Sequence, residues 1–423
     1  MKRSFLFLQG PHGPFFSQLG KNLRLAGANV HRIGFNRGDQ FFWGETGYLP
    51  FTAPREDWPA FLARTLRELA VTDLVLYGDS RPIHAEAITQ GRAAGLRIHV
   101  FEEGYLRPYW ITYERGGANG QSRLMTIPVA AMQAALARPG AEQPPAPVHW
   151  GDMREHVFYG ALYHFFVLAR NGAYPHFRPH RALGVAAEFR LHLRRLLMLP
   201  VHRAQRRLAT LRIRRGGFPY HLVLLQLEHD ASFRDYSSLR SMSEFIDICL
   251  DGFANGAAAH HHLVFKAHPL EDGRVPLARL IRAGATARGL QGRVHFVPGG
   301  KLAPLLREAA SALTVNSTAA QQALWRGLPV KILGQAVYDK PEFVSPQPLQ
   351  AFFASPARPD SRAYADYRQF LLETSQVPGG FYSAGGRRKA LRKLVDLMLH
   401  DQDPYDALLS PNAAEPQHVR VIT

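Results

Sequence analysis

Between His262 and Leu333 the chain alternates strand and helix patterns at a spacing that leaves few folds open. It reads as a strand ending in Lys266-Ala267-His268-Pro269, about two turns of helix, a second strand Arg293–Pro298 and another helix. A third strand, Ala312–Val315, leads into the turn Asn316-Ser317-Thr318, a helix from Ala319 to Gly327 and a last strand, Pro329–Leu333. Short apolar strands separated by helical segments build a parallel sheet, because parallel neighbours need a long crossover rather than a tight turn. In such sheets ligands bind beyond the carboxyl ends of the strands. His268 and Ser317-Thr318 each follow a strand directly, so both are expected at that crevice. A helix opening near Ser317 would add unpaired backbone N–H groups and a positive dipole end, which suit a phosphate. This half therefore reads as a nucleotide-phosphate site.

The first half repeats the plan. Phe5–Leu8 reads as a strand, Gln9–Pro14 as a tight turn, Phe16–Leu25 as a helix and His31–Phe35 as the second strand. The turn has neither G-x-G-x-x-G nor P-loop spacing, so it signals no particular nucleotide fold. His12 within it is either a turn histidine or a substrate contact. Helix Trp58–Ala70, strand Asp73–Tyr77, helix Ile83–Ala94 and strand Leu96–Phe101 follow, and the last strand ends in Glu102-Glu103-Gly104-Tyr105-Leu106-Arg107. Within a strand, adjacent carboxyls point to opposite faces; at a turn, one can reach the crevice. An apolar wall or a second carboxylate would raise a pKa into the range useful for proton transfer. The bland alternative is a solvated loop, but the aromatic and basic neighbours suit a sugar-acid pocket.

Gly216-Gly217-Phe218-Pro219 punctuates the chain, and strand Tyr220–Leu225 opens a second sheet. It ends in Gln226-Leu227-Glu228-His229-Asp230, where either acid can serve as nucleophile or base, or cap the next helix. The expected organisation is an N-terminal Rossmann-like domain, 1–176, a basic helical region, 177–217, and a second Rossmann-like domain, 218–345. C-terminal helices and a tail occupy 346–423, with helices at Ser361–Thr374 and Gly386–Leu399 and a poorly ordered tail from Asp403.

The net charge of +17 calls for an anionic partner. Eleven arginines lie between Phe177 and Gly217 against one acid, Glu188, with leucines between them at roughly helical spacing. We read the stretch as an interfacial helix whose Arg194, Arg195, Arg203, Arg206 and Arg207 meet anionic headgroups, each contributing ~1 kcal/mol. A plain helical linker and a nucleic-acid-binding segment are the alternatives; no zinc-finger or RNP-like motif supports the last, and no nucleic acid is expected. The single cysteine, Cys249, excludes a disulfide framework and a thiolate metal cluster and fits a reducing compartment. His260-His261-His262 on an extended chain would not converge on one ion. No metal and no cofactor are expected. No stretch approaches the ~20 apolar residues of a membrane span. The apolar run at the N-terminus stops at Gln9, too early for a secretory leader, so a cytoplasmic protein is expected.

Glu102-Glu103-Gly104, His268-Pro269 and Ser317-Thr318, in that order, resemble the three short motifs of bacterial sialyltransferases and related CMP-sugar transferases. The longer blocks Phe5–Phe16, Phe101–Pro108 and Gln226–Ser232 resemble the capsular polysaccharide Kdo transferases, most closely the single-module type that starts the lipid-linked Kdo primer of Gram-negative capsules. The resemblance implies a GT-B-like α/β fold, two Rossmann-like domains facing a central cleft. It implies transfer of Kdo from CMP-Kdo to a (lyso)phosphatidylglycerol acceptor with retention, without metal, at the inner face of the inner membrane beside other capsule synthesis and export proteins. His268, Pro269, Asn316, Ser317 and Thr318, with Lys266, would hold the CMP; His12, Gly104, Arg107 and Gln226 would contact substrate. Glu102 or Glu103 would be the acid/base, and Asp230, with Glu228 two residues away, the candidate nucleophile. A histidine N–H and hydroxyl and amide donors can stabilise a departing CMP without a cation. Two other readings stay open: a non-catalytic export or assembly partner with a degenerate transferase fold, and a transferase using another CMP-sugar such as CMP-sialic acid.

Overall fold

The computed structural model describes residues 2–137, 153–178 and 198–410. In chain order the strands are β1 (Ser4–Phe7), β2 (Asn29–Gly34), β3 (Tyr48–Pro50), β4 (Asp73–Tyr77), β5 (Arg97–Glu103) and β6 (Trp110–Arg115). They continue as β7 (Tyr220–Leu224), β8 (His262–Lys266), β9 (Val294–Val297), β10 (Ala309–Thr314), β11 (Val330–Ile332) and β12 (Gln376–Pro378). The chain divides into two compact units: unit 1 takes 1–123, 134–186 and 369–423, and unit 2 takes 124–133 and 187–368.

Unit 1 holds a sheet of order β12-β6-β5-β4-β1-β2-β3. The run from β3 to β5 is parallel, while β6 pairs antiparallel with both β5 and β12. Order 3-2-1-4-5 reverses direction between β1 and β4, which makes that pair the topological switch point. Every residue of β1 is buried, as a parallel strand covered on both faces must be. Phe5, Phe7, Val75 and Phe101 pack with helices Phe15–Leu25 and Ala384–Leu399; Leu6, Leu74, Leu76 and Val100 pack on the other face with helices Trp58–Glu68 and Pro82–Ala93.

Two expectations change here. The strand expected to stop at Phe101 runs on through Glu103, because β6 folds back and pairs Glu102 with Thr112 and Glu103 with Ile111. The two acids therefore sit on a strand and face opposite ways. Of the tail read as poorly ordered from Asp403, helix Pro404–Leu409 buries Tyr405, and Arg123 pairs with both Asp403 and Asp406, while residues 411–423 lie outside the described residues. The C-terminal segment, read from sequence as a separate region, supplies β12 and helix Ala384–Leu399 to unit 1.

Unit 2 holds an all-parallel sheet of order β11-β10-β7-β8-β9, with its switch point between β7 and β10. One face, Val223, Leu225, Phe265, Leu313 and Val315, packs against Phe245, Ile246, Cys249 and Leu250 of helix Met242–Gly256 and Ile281 and Ala285 of helix Leu277–Ala287. Ser241 starts the first of these helices by accepting from the Glu244 N–H, while the Glu244 carboxylate accepts from the Arg240 N–H. The buried ammonium of Lys340 donates to the carbonyls of Leu124 and Ile127, which ties the short 124–133 segment into this unit. Two helices differ from expectation. After His268-Pro269 the chain stays irregular until Leu277, and after Ser317 there is only a 3-10 turn, Thr318–Ala320, and one short helix, Gln321–Leu324. Of the basic stretch, helix Leu199–Arg215 is described, whereas Arg194 and Arg195 lie outside the described residues. Two Rossmann-type sheets in one chain make a GT-B-like α/β fold. Among the described residues no helix is long and apolar enough to cross a membrane.

Candidate active site

The carboxyl ends of β7 and β10 in unit 2 are locked together by one amide pair. Gln226 donates through Nε2 to Asn316 Oδ1 at 2.8 Å, and its Oε1 accepts from the Asn316 backbone N–H at 2.9 Å. Asn316 Nδ2 in turn donates to the carbonyls of Ser232, at 2.6 Å, and Tyr236, at 3.2 Å. Both amides are buried. A buried amide with every group paired has one orientation only, so the turn that follows is held in one conformation. That turn carries Ser317, whose Oγ accepts from the Ala319 N–H at 3.2 Å and whose carbonyl accepts from the Tyr338 hydroxyl at 2.6 Å. Ser317 and Thr318 remain half-buried at the switch point. The helix beyond them is too short for a sizeable dipole. The groups offered at this end are hydroxyls and N–H donors.

Lys266 closes β8 and His268 follows two residues later. Strand β7 lies between β8 and β10, so at the usual spacing of ~4.8 Å the two strand ends stand about 10 Å apart. His268 is half-buried, and its Nδ1 accepts from the Leu270 N–H at 3.1 Å. Pro269 is exposed. The two acids after β7 differ. Glu228 accepts from the Met242 N–H at 2.8 Å and so caps helix Met242–Gly256. Asp230 is exposed, sits at the N-cap of the short helix Ala231–Asp235 and makes no side-chain cap bond.

In unit 1 the strand pleat sends Glu102 and Glu103 to opposite faces. Glu102 lies beside Gly78 at the end of β4: a Cβ at Gly78 would meet Glu102 Oε1 at 3.0 Å. Glu103 accepts from the Tyr77 hydroxyl at 3.3 Å. Tyr77 is also hydrogen-bonded to Tyr382, and the ring of His156 stacks on Tyr382 at 4.0 Å. Burial, reinforced by the two glutamates, holds both phenols well above their ordinary range, so they stay donors. Burial also lowers His156, against the pull of Glu103, so this imidazole is neutral at pH 7. Glu103 is thus bonded by one phenol, with a second phenol bonded to the first, a neutral histidine stacked on that second ring, and both within electrostatic reach of the carboxylate.

Gly104 follows for steric reasons. A Cβ there would come within 2.4 Å of the Trp110 carbonyl oxygen, the atom that accepts the Gly104 N–H at 3.1 Å. Arg107 donates to the Gly104 carbonyl at 3.3 Å. His12 leaves the switch-point turn after β1 and stacks on Tyr163 of helix Met153–Ala169 at 4.3 Å. Beside it, Gln9 bridges Asp39 and Arg81.

The described part of the basic helix is not uniform. Arg203 and Arg207 are exposed, but Arg206 turns inward and donates to the Pro298 carbonyl at 3.0 Å. The histidine run pairs with other histidines: His261 with the buried His221 at 2.9 Å, and His262 with His295 at 2.8 Å. Among the described residues no group of three or more His, Cys, Asp or Glu side chains is arranged to hold a metal ion.

The family model for capsule polysaccharide biosynthesis proteins matches residues 72–382. The chain belongs to this family. It is 31% identical to the capsule polysaccharide modification protein LipB of Neisseria meningitidis, over 90% of this chain and 92% of that one. It is 29% identical to the capsule polysaccharide export protein KpsS of Escherichia coli, over 90% of this chain and 97% of that one. A solved structure of Thermosulfurimonas dismutans KpsC, a β-Kdo 2,7 transferase, aligns over 94% of this chain and 100% of that one at 12% identity and TM-score 0.44. The match to the capsule biosynthesis family spans Glu102-Glu103, Asp230, His268 and Ser317.

In this capsule biosynthesis protein, reading the sequence missed the partners of Glu103. Tyr77 ends a strand that was recognised, so its nearness to the next strand's end was available. His156 and Tyr382 lie far away in the chain and carry no local signal. Arg206 was grouped with its helix neighbours because helical spacing alone does not separate an inward arginine from an outward one.

Proposed function

We propose that this protein is a retaining β-Kdo glycosyltransferase that moves Kdo from CMP-Kdo to a (lyso)phosphatidylglycerol acceptor, starting the glycolipid primer of a capsule polysaccharide. The observation that carries the reading is the Gln226–Asn316 amide bridge at the unit 2 switch point, which holds a hydroxyl-bearing turn where nucleotides bind in such sheets. Membership of the capsule family and the fold agree with it.

In this mechanism Ser317, Thr318 and His268 hold the phosphate of the leaving CMP, with Lys266 nearby. Asp230 attacks the anomeric carbon of Kdo and CMP departs; the Asp230 carboxylate, exposed and without a cap bond, is available where Glu228 is not. The acceptor hydroxyl then displaces Asp230 while a carboxylate of the Glu102-Glu103 pair removes its proton. Glu103, with Tyr77, Tyr382 and His156 around it, has the better proton outlet. The chemistry asks for no metal, because the leaving phosphate is neutralised by donors. Exposed Val201, Leu208 and Leu211 flank Arg203 and Arg207 on helix Leu199–Arg215, which supports a peripheral seat on an anionic inner leaflet.

The deciding experiment is incubation with CMP-Kdo and a fluorescent phosphatidylglycerol analogue, followed by mass analysis of the lipid for one added Kdo. No transfer from CMP-Kdo, with transfer from CMP-sialic acid, would move the donor assignment. A second reading, a non-catalytic export or assembly partner, draws on the Escherichia coli relative, named as a capsule polysaccharide export protein. A thermal shift with CMP separates the two, since a scaffold has no use for the nucleotide.

A further inference from the structure

Unit 2 holds two cations close together with no acid between them. Lys266 is 5% exposed, at the carboxyl end of β8. By the pleat its side chain shares the sheet face of Leu222, Leu224 and Val264. Its ammonium donates to the adjacent Ala267 carbonyl at a stretched 3.4 Å, long for a charged donor. Among the described residues no carboxylate pairs with it. A buried, unpaired ammonium is costly, and natural chains keep one where a ligand completes it.

Arg206 arrives from helix Leu199–Arg215. Its Nε donates to the Pro298 carbonyl at 3.0 Å. Pro298 follows β9 directly, and Val297, the residue before it, is the register partner of Lys266. Both cations therefore stand at the ends of adjacent strands. The loop is shaped around the guanidinium: Gly299 and Gly300 have φ of +109° and +87°, and a Cβ at Gly299 would come within 3.1 Å of Arg206 Nε. Among the described residues the two terminal nitrogens of Arg206 make no hydrogen bond or ion pair. Burial lowers the Lys266 ammonium to about 8, and the charge of Arg206 pushes it the same way, as like charges in a dry site must.

We propose that Arg206 and Lys266 form an oxyanion subsite beyond the carboxyl ends of β8 and β9, which takes a carboxylate or phosphate group of the substrate. The pair stands on its own geometry; the identity of the anion rests on the transferase reading. In a 2-keto sugar acid the carboxylate is carried by the same carbon as the leaving phosphate, so a donor of that class brings two anions side by side. His268 and Ser317 account for one, and Arg206 with Lys266 would account for the other. This takes Arg206 out of the lipid-facing set and gives it to the donor.

Calorimetry of the full chain with inorganic phosphate, CMP and cytidine tests the assignment. Arg206→Gln should weaken inorganic phosphate at least about tenfold, as expected for losing a charge-assisted bond, and leave cytidine and CMP, whose phosphate His268 and Ser317 hold, unchanged. Arg215→Gln, an exposed arginine at the end of the same helix, should change none of them. Lys266→Met should weaken phosphate similarly yet raise the melting temperature by about 2–4 °C, because an apolar chain of similar shape replaces an unpaired buried charge. A merely structural lysine would lower it. Unchanged affinity for inorganic phosphate in Arg206→Gln, or a lower melting temperature in Lys266→Met, overturns the subsite. A protein that binds phosphate through Arg206 but CMP no better than phosphate keeps the subsite and removes the nucleotide reading. Binding of neither removes both.

Discussion

Gln226→Leu probes the bridge on which the unit 2 site depends. The substitution keeps the size of the side chain and removes both of its polar atoms. Three hydrogen bonds disappear: two with Asn316, at 2.8 and 2.9 Å, and one from Thr314 Oγ1 at 3.3 Å. Thr314 Oγ1 keeps its bond to the Leu224 carbonyl at 2.9 Å. Asn316 has no such substitute for its backbone N–H and Oδ1, and the residue is buried. Each orphaned buried group costs about 1–3 kcal/mol, so the local penalty is about 2–6 kcal/mol before relaxation. Taking about 3 kcal/mol, amides in residues 312–320 should exchange about 100-fold faster through local opening. Amides of β8 and β9, which do not touch the bridge, should change far less. Gln226→Glu should fall in between, since it still accepts from the Asn316 N–H but offers no donor to Oδ1. Hydrogen-exchange mass spectrometry at pH 7 reads all three proteins. Exchange in 312–320 within threefold of the wild type would mean that the amide pair does not hold the turn, and the positioning of Ser317 would need another cause.

Other outcomes follow from the same geometry. His268→Ala should weaken CMP about 10–100-fold and remove most turnover, read by calorimetry and product mass; intact activity would end its phosphate role. Asp230→Asn should abolish transfer while CMP still binds and the melting temperature holds, because the side chain makes no cap bond; normal turnover would put the nucleophile elsewhere. Replacing Arg203 and Arg207 together by Gln should cut binding to phosphatidylglycerol vesicles about 30-fold at ~1 kcal/mol each without altering CMP affinity, and equal vesicle binding would rule out the interfacial reading. Acid should weaken unit 2. Burial, and secondly a neighbouring histidine, lowers His221 to about 3 and His295 to about 4. Folded values below the unfolded ~6.5 mean that the unfolded chain binds the protons first, so stability is full above pH 6.5 and lost as pH falls toward 3–4. At pH 5 the buried His221 should cost about 2 kcal/mol and the partly exposed His295 about half of that. Urea unfolding at pH 7 and pH 5 should show the loss, and His221→Leu should flatten it; an equal pH slope in that variant would refute the assignment.

How far the sequence reached depended on the distance over which each signal acts. The strands β1, β4, β7 and β8 and their carboxyl-end motifs were legible because a buried parallel strand is an apolar run closed by polar or glycine residues. Strands β3, β6 and β12 were not. They are short or lie at the antiparallel side of the sheet, and only their partners make them strands. The missed β6 explains the largest local revision: without it, Glu102 and Glu103 read as a turn, and with it they become a strand whose pleat separates them. Ser317 shows the converse. Its turn was recognised, but the long helix expected after it is a 3-10 turn and one short helix, since capping and apolar spacing do not say how far a helix runs.

Local chemistry along the chain determined the class of fold, the order of the three short motifs and the strand ends on which they fall. These depend on periodicity and on residues adjacent in sequence. Tertiary structure alone decided which of those polar groups are spent on the fold and which remain for a ligand. Glu228 caps a helix 14 residues on, Glu103 is joined by a tyrosine and a histidine from distant segments, and Arg206 turns from its helix toward a glycine loop 92 residues away. Partners of that separation are set by packing, and one residue type serves equally well as cap, ligand or solvated charge until its neighbours are in place.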